Sequence, residues 1–296
     1  MDLTTIFYHS DNFCKDYSKQ FPKLSDLKSK KSKKERKYQL TLSEIMSITV
    51  YFHYSGYKTF KDYFLRSQDE LRRAFPNIVS YSRIVELKQQ ITLPLMILAQ
   101  LSNKGACTGI TFFDSFPLPV CHIKREHAHK VFKGIARKGK SSMGWFYGFK
   151  VHVAINHIGE IINCTLTKGN VADNNEKVIE KITQSVTGKG FGDKGYILNS
   201  ALFQKLLSNG LQVISKLRSN MKQKLMPVFD KFMLRKRGLV ESVGDIIKID
   251  LLAQHTRHRS PLAFFAHIFS SLIAYALRPK KPSIKLDSIY GFICPH

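Results

Sequence analysis

Three carboxylates occupy positions in the sequence where an acidic side chain requires a structural or functional explanation. Asp114 interrupts the apolar stretch ITFFDSFPLPV, and a carboxylate there is costly to bury unless it is paired, hydrogen-bonded or bound to a metal. Asp193 ends a short strand among the glycines of GKGFGDKGYI, where glycine indicates a sharp turn or the close approach of another group. Glu241 lies in RKRGLVESVGDIIK, and helical spacing puts it on the polar face, opposite Leu239 and Val243.

Two of these acids also have an ordinary structural interpretation. Asp193 could cap a tight turn, and an i, i+4 pair with Arg237 would account for Glu241 on a solvated helix face. Together, an acid in a central strand, one at the end of a later strand and one on a following helix form the set of hard oxygen ligands that suits Mg²⁺. Two such ions can promote an in-line displacement at phosphorus. The three acids therefore point to a two-metal phosphoryl-transfer site.

The composition narrows the class of partner. The chain has 296 residues, with 47 Lys and Arg against 22 Asp and Glu, which leaves a net charge of +25. This excess favours a polyanion such as nucleic acid. The five cysteines form no C-x-x-C pair, and no apolar stretch reaches the roughly 20 residues of a membrane helix. We therefore expect a cytoplasmic protein with no membrane segment.

The hydrophobic pattern changes from helical to strand-like near residue 105. Before this point, Thr41 and Glu44 stand in capping-box spacing at the start of a helix, and further helical segments follow. After it, the expected strands are 110–116, 145–155, 160–166 and 211–215, with helices at 173–186, 199–209 and 235–248. The second and third of these strands form a hairpin. The pattern predicts an α/β fold with a mixed sheet flanked by helices, preceded by a mainly helical region.

The same pattern predicts the division of the chain. We expect a helical region at 1–105 with a basic segment at 28–37, a domain with a mixed sheet at 106–280, and a C-terminal tail at 281–296. An apolar helix at 262–277 is expected to pack behind the sheet.

Potential zinc ligands occur in the loop after the first strand. They are Cys121, His122, His127 and His129. Their spacing matches none of the usual zinc patterns, and Lys and Arg residues alternate with them. A phosphate-facing loop is therefore the preferred interpretation.

Several sequence blocks follow one another in a fixed order. They are DSFPLPVC from Asp114, FKGIARKGKSSMGWFYGFKVH from Phe132, LTKGNVADN from Leu166, GDKGY from Gly192, KLRSNMK from Lys216, LRKRGLVESV from Leu234 and HTRHRSP from His255. This ordered set resembles the DDE transposases of bacterial insertion sequences, most closely the insertion-sequence 982 family. The resemblance implies a ribonuclease-H-like core in which Asp114, Asp193 and Glu241 are the catalytic and metal-binding residues, with two Mg²⁺ ions, for which Mn²⁺ can substitute. It also implies that the domain 106–280 is catalytic and that the helical region 1–105 is DNA-binding.

Basic residues near these blocks are the candidate DNA contacts. Related elements carry an Arg four residues before the Glu and a Lys seven after it, which here are Arg237 and Lys248. The remaining candidates are Lys138, Lys140, Arg257 and Arg259. Lys138 and Lys140 precede the aromatic run 145–147, and such mixtures are typical of nucleic-acid surfaces. We expect these aromatic side chains mostly in the core and the cations on DNA.

The resemblance implies a Mg²⁺-dependent DNA transposase that cuts at the terminal inverted repeats of its element and joins the freed 3′-hydroxyl to target DNA. It would act as a homo-oligomer, in the cytoplasm and associated with the nucleoid. Two alternatives stay open: a decayed, non-catalytic DNA-binding remnant, and a nuclease of the same fold. Gly244 bears on the first alternative, because glycine inside a helix costs roughly 1 kcal/mol relative to alanine and would loosen the placement of Glu241.

Overall fold

The computed structural model describes residues 1–22, 40–216, 225–254 and 258–286. The chain divides into two compact units. The helical unit comprises Met1–Ser102, Ile249–Ala253 and His258–Pro279, and the sheet unit comprises Asn103–Lys248, Gln254–Arg257 and Lys280–His296. Within the described ranges, none of the helices is long and apolar enough to cross a membrane. The basic segment 28–37 and Arg257 lie outside the described residues.

The N-terminal part of the chain is helical, as predicted. Its described helices are α1 (Leu3–Gln20), α2 (Leu42–Tyr51), α3 (Phe60–Arg66), α4 (Gln68–Ala74), α5 (Tyr81–Gln90) and α6 (Thr92–Ser102). The predicted capping box at the start of α2 is confirmed, because the Glu44 N–H donates to the Thr41 hydroxyl over 3.3 Å and the Thr41 N–H donates to the Glu44 carboxylate over 2.6 Å. These two bonds satisfy backbone donors that the first turn of a helix leaves without a partner.

The last described helix, α11 (Pro261–Leu277), belongs to the helical unit. The expectation that it packs behind the sheet is wrong, since it packs on α2, α5 and α6. The physical reason is that α11 is buried on almost every side, including Phe264, Leu272 and Tyr275, so its pattern predicts burial without identifying the partner. Residues 258–279 therefore belong to the helical unit, whereas the predicted division placed them in the domain 106–280.

A buried lysine lies in the interior of the helical unit. Lys88 on α5 is 6% exposed, and its Nζ lies 4.3 Å from the centre of the Phe60 ring and 5.9 Å from that of Phe52. Burial lowers the pKa of the Lys88 ammonium to about 7. The folded state therefore disfavours the charged form of Lys88, which the ring faces compensate only in part.

This burial predicts a pH dependence of stability. The folded pKa is about 7 and the ordinary value is 10.5, so between these limits the unfolded chain binds more protons than the folded one. The free energy of unfolding should then rise with pH in this window, by at most about 1.4 kcal/mol per pH unit, and be lowest below pH 7. Chemical denaturation of wild type and Lys88→Met across this range checks the prediction. The variant should be more stable at neutral pH and lose the slope, and equal slopes would contradict the prediction.

The sheet unit is built on a mixed sheet with strand order β2-β3-β1-β5-β6. The strands are β1 (Ile110–Cys121), β2 (Arg137–Ser141), β3 (Gly144–Asn156), β4 (Ile161–Lys168), β5 (Gly188–Gly192) and β6 (Leu211–Ser215). β3 pairs antiparallel with β1 along one edge and with β2 and then β4 along the other. β5 lies parallel to both β1 and β6. The predicted mixed sheet and the β3–β4 hairpin are confirmed.

Helices cover both faces of this sheet. The described helices are α7 (Glu176–Ile182), α8 (Ser200–Ser208), α9 (Val228–Lys236) and α10 (Gly238–Asp245), and a π-helical turn continues from α10 over Ile246–Asp250. Phe113 of β1 packs in a core with Ile179 of α7 and Leu202 of α8. Phe116 lies on the opposite face, because side chains alternate along a strand, and there it lies next to Gly244 of α10. A Cβ at Gly244 would lie 3.4 Å from a ring carbon of Phe116, which is an ordinary contact distance, so α10 packs against β1 at this residue.

Strand β1 continues beyond the predicted end at residue 116. Pro117 and Pro119 still pair with β3, opposite Lys150 and Gly148. A proline cannot donate a hydrogen bond, so it is tolerated only where one strand edge has no partner. β5 pairs with β1 only over residues 110–112, which leaves that edge without a strand partner from residue 113 onward. The prolines thus mark the open edge of a longer strand.

Two helix predictions need correction. The helix predicted at 173–186 does not begin at Asp173, because α7 is capped by Asn175, whose side chain accepts a hydrogen bond from the N–H of Val178. The expected helix 235–248 is not continuous either, since α9 ends at Lys236 and α10 begins at Gly238. Arg237 therefore lies at a junction between two helices. Where Asp, Asn and Gly lie near one another, the local sequence does not identify uniquely which residue caps a helix or where a helix breaks.

Candidate active site

Strand pairing brings Asp114 and Asp193 side by side. β1 and β5 are parallel neighbours in which Phe112 is opposite Phe191. Continuing this register by two residues places Asp193, which follows the last residue of β5, alongside Asp114. The N–H of Gly195 donates to the Asp193 carboxylate over 2.8 Å and holds this side chain at the end of the strand. A Cβ on Gly190 would come within 2.3 Å of Phe113 and one on Gly192 within 2.5 Å of Tyr196, so these glycines allow aromatic rings to pack closely against the strand that carries the acid.

Helix α10 brings the third acid to the same face of β1. Arg237, at the start of α10, bridges two of the acids, since its Nη1 lies 3.3 Å from Asp114 Oδ2 and its Nη2 lies 2.9 Å from Glu241 Oε1. The i, i+4 pair of Arg237 and Glu241 that the spacing allows is thus present, and the same guanidinium also lies near Asp114. Glu241 remains 60% exposed, whereas the Asp114 side chain is 24% exposed.

The electrostatics show that the three acids share one environment. Burial raises the pKa of Asp114 to about 6, which Arg237 and the N–H of Ser115 oppose. The negative charges of Asp193 and Glu241 raise this pKa further. An ionised Asp114 is therefore costly in this structure unless positive charge approaches it.

A divalent metal would satisfy this requirement, and the donors fit one in chemistry. All three are carboxylates, the ligand type of Mg²⁺, and a cationic guanidinium already lies between two of them. In the described part of the chain, however, no group of three His, Cys, Asp or Glu side chains surrounds a common point where a metal could be held. Arg237 lies where such a point would be between Asp114 and Glu241, so holding an ion there requires the guanidinium to move.

A fourth acid near the site was missed by the sequence reasoning. The Ser115 hydroxyl donates to Asp173 Oδ1 over 2.7 Å, and the Ser115 N–H donates to Asp114 Oδ1 over 2.9 Å. A Cβ on Gly195 would lie 2.9 Å from Asp193 Oδ1 and 3.3 Å from Asp173 Oδ2, so Asp173 also stands close to the turn that holds Asp193. The available signal was the block LTKGNVADN, which contains Asp173.

Asp173 is neutralised by a buried lysine. Lys150 Nζ lies 3.1 Å from Asp173 Oδ1 and donates to the Val171 carbonyl over 3.1 Å. His152 Nδ1 lies 3.7 Å from the same carboxylate oxygen, but burial lowers the pKa of His152 to about 4, so this imidazole is neutral at neutral pH. Ser115 and Lys150 both contact Asp173 Oδ1, and we call these three residues the Asp173 cluster. Ser115 and Asp114 are consecutive in β1, so the cluster holds the strand from the opposite face.

The predicted DNA-contacting residues occupy different positions. Lys248 pairs with Asp245 over 2.8 Å and not with Glu241, and Arg259 is exposed in the helical unit. Lys138 and Lys140 are exposed on β2. Of the aromatic run that follows them, Phe146 and Tyr147 are buried, which confirms that the run lies mostly in the core, whereas Trp145 is 57% exposed.

The strand order and the helices on both faces define a ribonuclease-H-like α/β fold. The family model described as Transposase DDE domain matches residues 104–261, which include all six described strands and the three acids. Because the match covers more than half of the chain, the chain belongs to this family of DDE transposases, which generally use divalent metal ions. No curated protein and no solved structure matches the chain.

Proposed function

We propose that this protein is a DNA transposase that binds the terminal inverted repeats of its own mobile element, cleaves phosphodiester bonds there and joins the freed ends to target DNA. Membership of the DDE family supports the reaction class, and the net charge of +25 supports a DNA partner. The observation that carries the proposal is the approach of Asp114, Asp193 and Glu241, from two strands and a helix, to one another within one compact unit.

The catalytic role follows from the residue types. Asp114, Asp193 and Glu241 would hold two Mg²⁺ ions, which Mn²⁺ can replace. Such ions, when bound, supply positive charge for the attacking and leaving oxygens of a displacement at phosphorus. The chain contributes the position of each carboxylate, through β1, the turn after β5 and α10, and the Asp173 cluster holds β1 in place.

Two displacements of the same kind make up the reaction. In cleavage, a water oxygen attacks phosphorus, the bond from phosphorus to the 3′ oxygen breaks, and that oxygen leaves as a 3′-hydroxyl. In strand transfer, this hydroxyl loses its proton and its oxygen attacks a phosphorus of the target strand. The bond to the target's own 3′ oxygen breaks, and that oxygen takes up a proton and leaves as a 3′-hydroxyl. Neither displacement forms a bond to a protein side chain, so the site needs no covalent nucleophile.

Arg237 is the proposed link between the acids and the DNA. Its Nε and Nη1 are buried without a hydrogen-bond partner among the described residues, although Nη1 lies near Asp114. Buried donors without partners are costly, and a phosphate oxygen would satisfy them. We propose that Arg237 turns toward a DNA phosphate, which frees Asp114 and Glu241 for metal binding. Lys248, Lys138, Lys140, Arg257 and Arg259 are the other proposed contacts, and two or more copies of the chain would act together on the two ends.

End cleavage by the purified full chain tests the proposed function. With Mg²⁺ or Mn²⁺, we expect cleavage at the boundary of a duplex that carries the inverted repeats flanking the gene, and none of a duplex with the same composition in scrambled order. Removal of the metal by a chelator should stop cleavage and leave binding, because Lys and Arg contacts to phosphates do not need the ions. Binding without cleavage in either metal would identify a non-catalytic remnant. Preferential cleavage of an RNA–DNA hybrid would identify a nuclease.

A further inference from the structure

Exposed apolar side chains mark the end of the hairpin formed by β2 and β3. Met143, in the turn, is 94% exposed and Trp145, at the start of β3, is 57% exposed. Burying a tryptophan normally stabilises a fold strongly, so leaving one exposed at a projecting turn favours a binding partner. We call residues 137–147 the hairpin tip.

Positive charge surrounds the exposed indole. Lys140 is opposite Trp145 in the strand register, and directly opposed residues share a face of the sheet. The Nζ atoms of Lys138 and Lys140 lie 5.2 Å and 5.7 Å from the centre of the Trp145 ring system. Lys138 also lies 3.6 Å from Glu126, so this acid neutralises part of the charge. An apolar ring beside two cations complements a partner that combines flat rings with phosphates, which is nucleic acid.

The other face of the hairpin tip is packed against the protein. Phe146 is buried, and a Cβ on Gly139 would overlap the carbonyl group of Gly169. The ribbon is therefore anchored through one face and presents the other, with Lys138, Lys140 and Trp145, to solvent. A two-stranded ribbon of this kind has the width that the major groove of duplex DNA admits.

The distance between Trp145 and Asp114 determines which part of the DNA the indole can contact. Asp114 is opposite Val153 on β3, and Trp145 lies eight residues before Val153 on the same strand. At a rise of about 3.3 Å per residue, Trp145 is roughly 26 Å along the strand from the acid. That length corresponds to about eight base steps of 3.4 Å each. The indole is thus too far away to touch the bases at the reacting phosphate.

We propose that the hairpin tip enters the major groove of the element's DNA roughly eight base pairs from the reacting phosphate. Trp145 and Met143 contact the bases there, and Lys138 and Lys140 contact the flanking phosphates. This inference rests on the proposed function, since it specifies where the transposase holds its own terminal repeat. The contact places about three-quarters of a turn of duplex between the base-contacting position and the bond that is cut, and this spacing sets the register of cleavage.

The intrinsic fluorescence of the protein tests the contact directly, because Trp145 is the one tryptophan of the chain. With selective tryptophan excitation, adding the terminal-repeat duplex should quench the emission or shift it to shorter wavelength. A 2-aminopurine probe placed about eight positions inside the cleavage site should change its own emission on binding. The same probe at the cleavage site should respond equally to wild type and to Trp145→Ala.

Variants separate the base contact from the phosphate contacts. Trp145→Ala should weaken binding of labelled repeat DNA roughly tenfold, the order that one base-contacting side chain contributes, and Trp145→Phe should recover part of this loss. Lys138→Gln and Lys140→Gln should each reduce the slope of log affinity against log salt by about one, whereas Trp145→Ala should leave the slope unchanged. Ile158→Ala is the matched control, since Ile158 is 41% exposed at the opposite end of β3 and should bind as wild type. Thermal unfolding of every variant establishes that it is folded.

Three outcomes overturn the inference. Unchanged Trp145 emission while the repeat DNA is bound would show that the hairpin tip does not touch DNA. Emission that depends on protein concentration without DNA would show that a second copy of the chain covers Trp145. A probe response confined to the cleavage site would contradict the spacing. Failure of the proposed function looks different, since then scrambled and repeat duplexes would bind equally and neither would be cut, and quenching by both would still show the contact with DNA.

Discussion

Replacing Asp114, Asp193 or Glu241 with alanine is expected to abolish end cleavage and to leave binding of terminal-repeat DNA largely intact. The isosteric changes Asp114→Asn, Asp193→Asn and Glu241→Gln should lower the cleavage rate by roughly 10³-fold or more, about 4 kcal/mol of barrier, because an amide is a poor ligand for a divalent ion. Rates measured on labelled repeat duplex, with affinity measured by anisotropy on the same DNA, check the prediction.

The stability of these variants shows whether the loss is chemical. Burial and the nearby acids raise the pKa of Asp114 to about 6, so its charge opposes folding at neutral pH. Asp114→Asn should therefore unfold at or above the wild-type temperature although it is inactive. Glu180→Gln is the control, since Glu180 pairs with Lys205 on the surface of α7 and should cleave as wild type. If any one of the three acid variants cleaved normally, the assignment of that residue would be wrong.

The second large effect is expected at the Asp173 cluster. The Lys150 side chain is 10% exposed. In Asp173→Ala, its ammonium group keeps only the Val171 carbonyl as a hydrogen-bond partner in this cluster. Removing one member of a buried ion pair costs about 3 kcal/mol or more. The Ser115 hydroxyl also loses its acceptor next to Asp114. We expect a lower unfolding midpoint in denaturant and a decrease in cleavage of about 10- to 100-fold, as for other residues that orient metal ligands.

A double variant distinguishes positioning from general destabilisation. Asp173→Ala with Lys150→Met removes both charges, so much of the stability should return. Cleavage should stay low, because the acceptor for Ser115 is still missing. The Mn²⁺ concentration needed for half-maximal cleavage should be higher than in wild type, and Mn²⁺ binding to the complex with repeat DNA, measured by calorimetry, should be weaker. Recovery of full activity together with stability would show that Asp173 has only a structural role.

The local elements were predictable where side-chain chemistry acts within a few residues. The capping box of Thr41 and Glu44, the helix predicted at 199–209, and the alternating strands of the β3–β4 hairpin depend on contacts between near neighbours in the chain. The buried face of α10, with Leu239, Val240 and Val243, follows from the helical repeat alone. These features were read correctly because distant parts of the chain do not decide them.

Other features depended on partners that lie far away in the chain. The strand extension through Pro117 depends on where β5 stops pairing with β1, and the packing of α11 depends on which apolar surface is free to receive it. The exposure of Trp145 depends on the other face of its hairpin being anchored at Gly169. Apolar spacing indicates that a residue prefers burial, but it does not specify what covers the residue.

By itself, the sequence determined the residue types of this protein's candidate site, the order of its elements and its excess of positive charge, because these are properties of the chain and its near neighbours. Only the tertiary structure decided that Arg237 stands between Asp114 and Glu241 and that Asp173, ionically paired with Lys150, supports the strand from the other face. The reason is that electrostatic energy depends on distance in space, and folding places in contact charges that are separated by more than a hundred residues of chain.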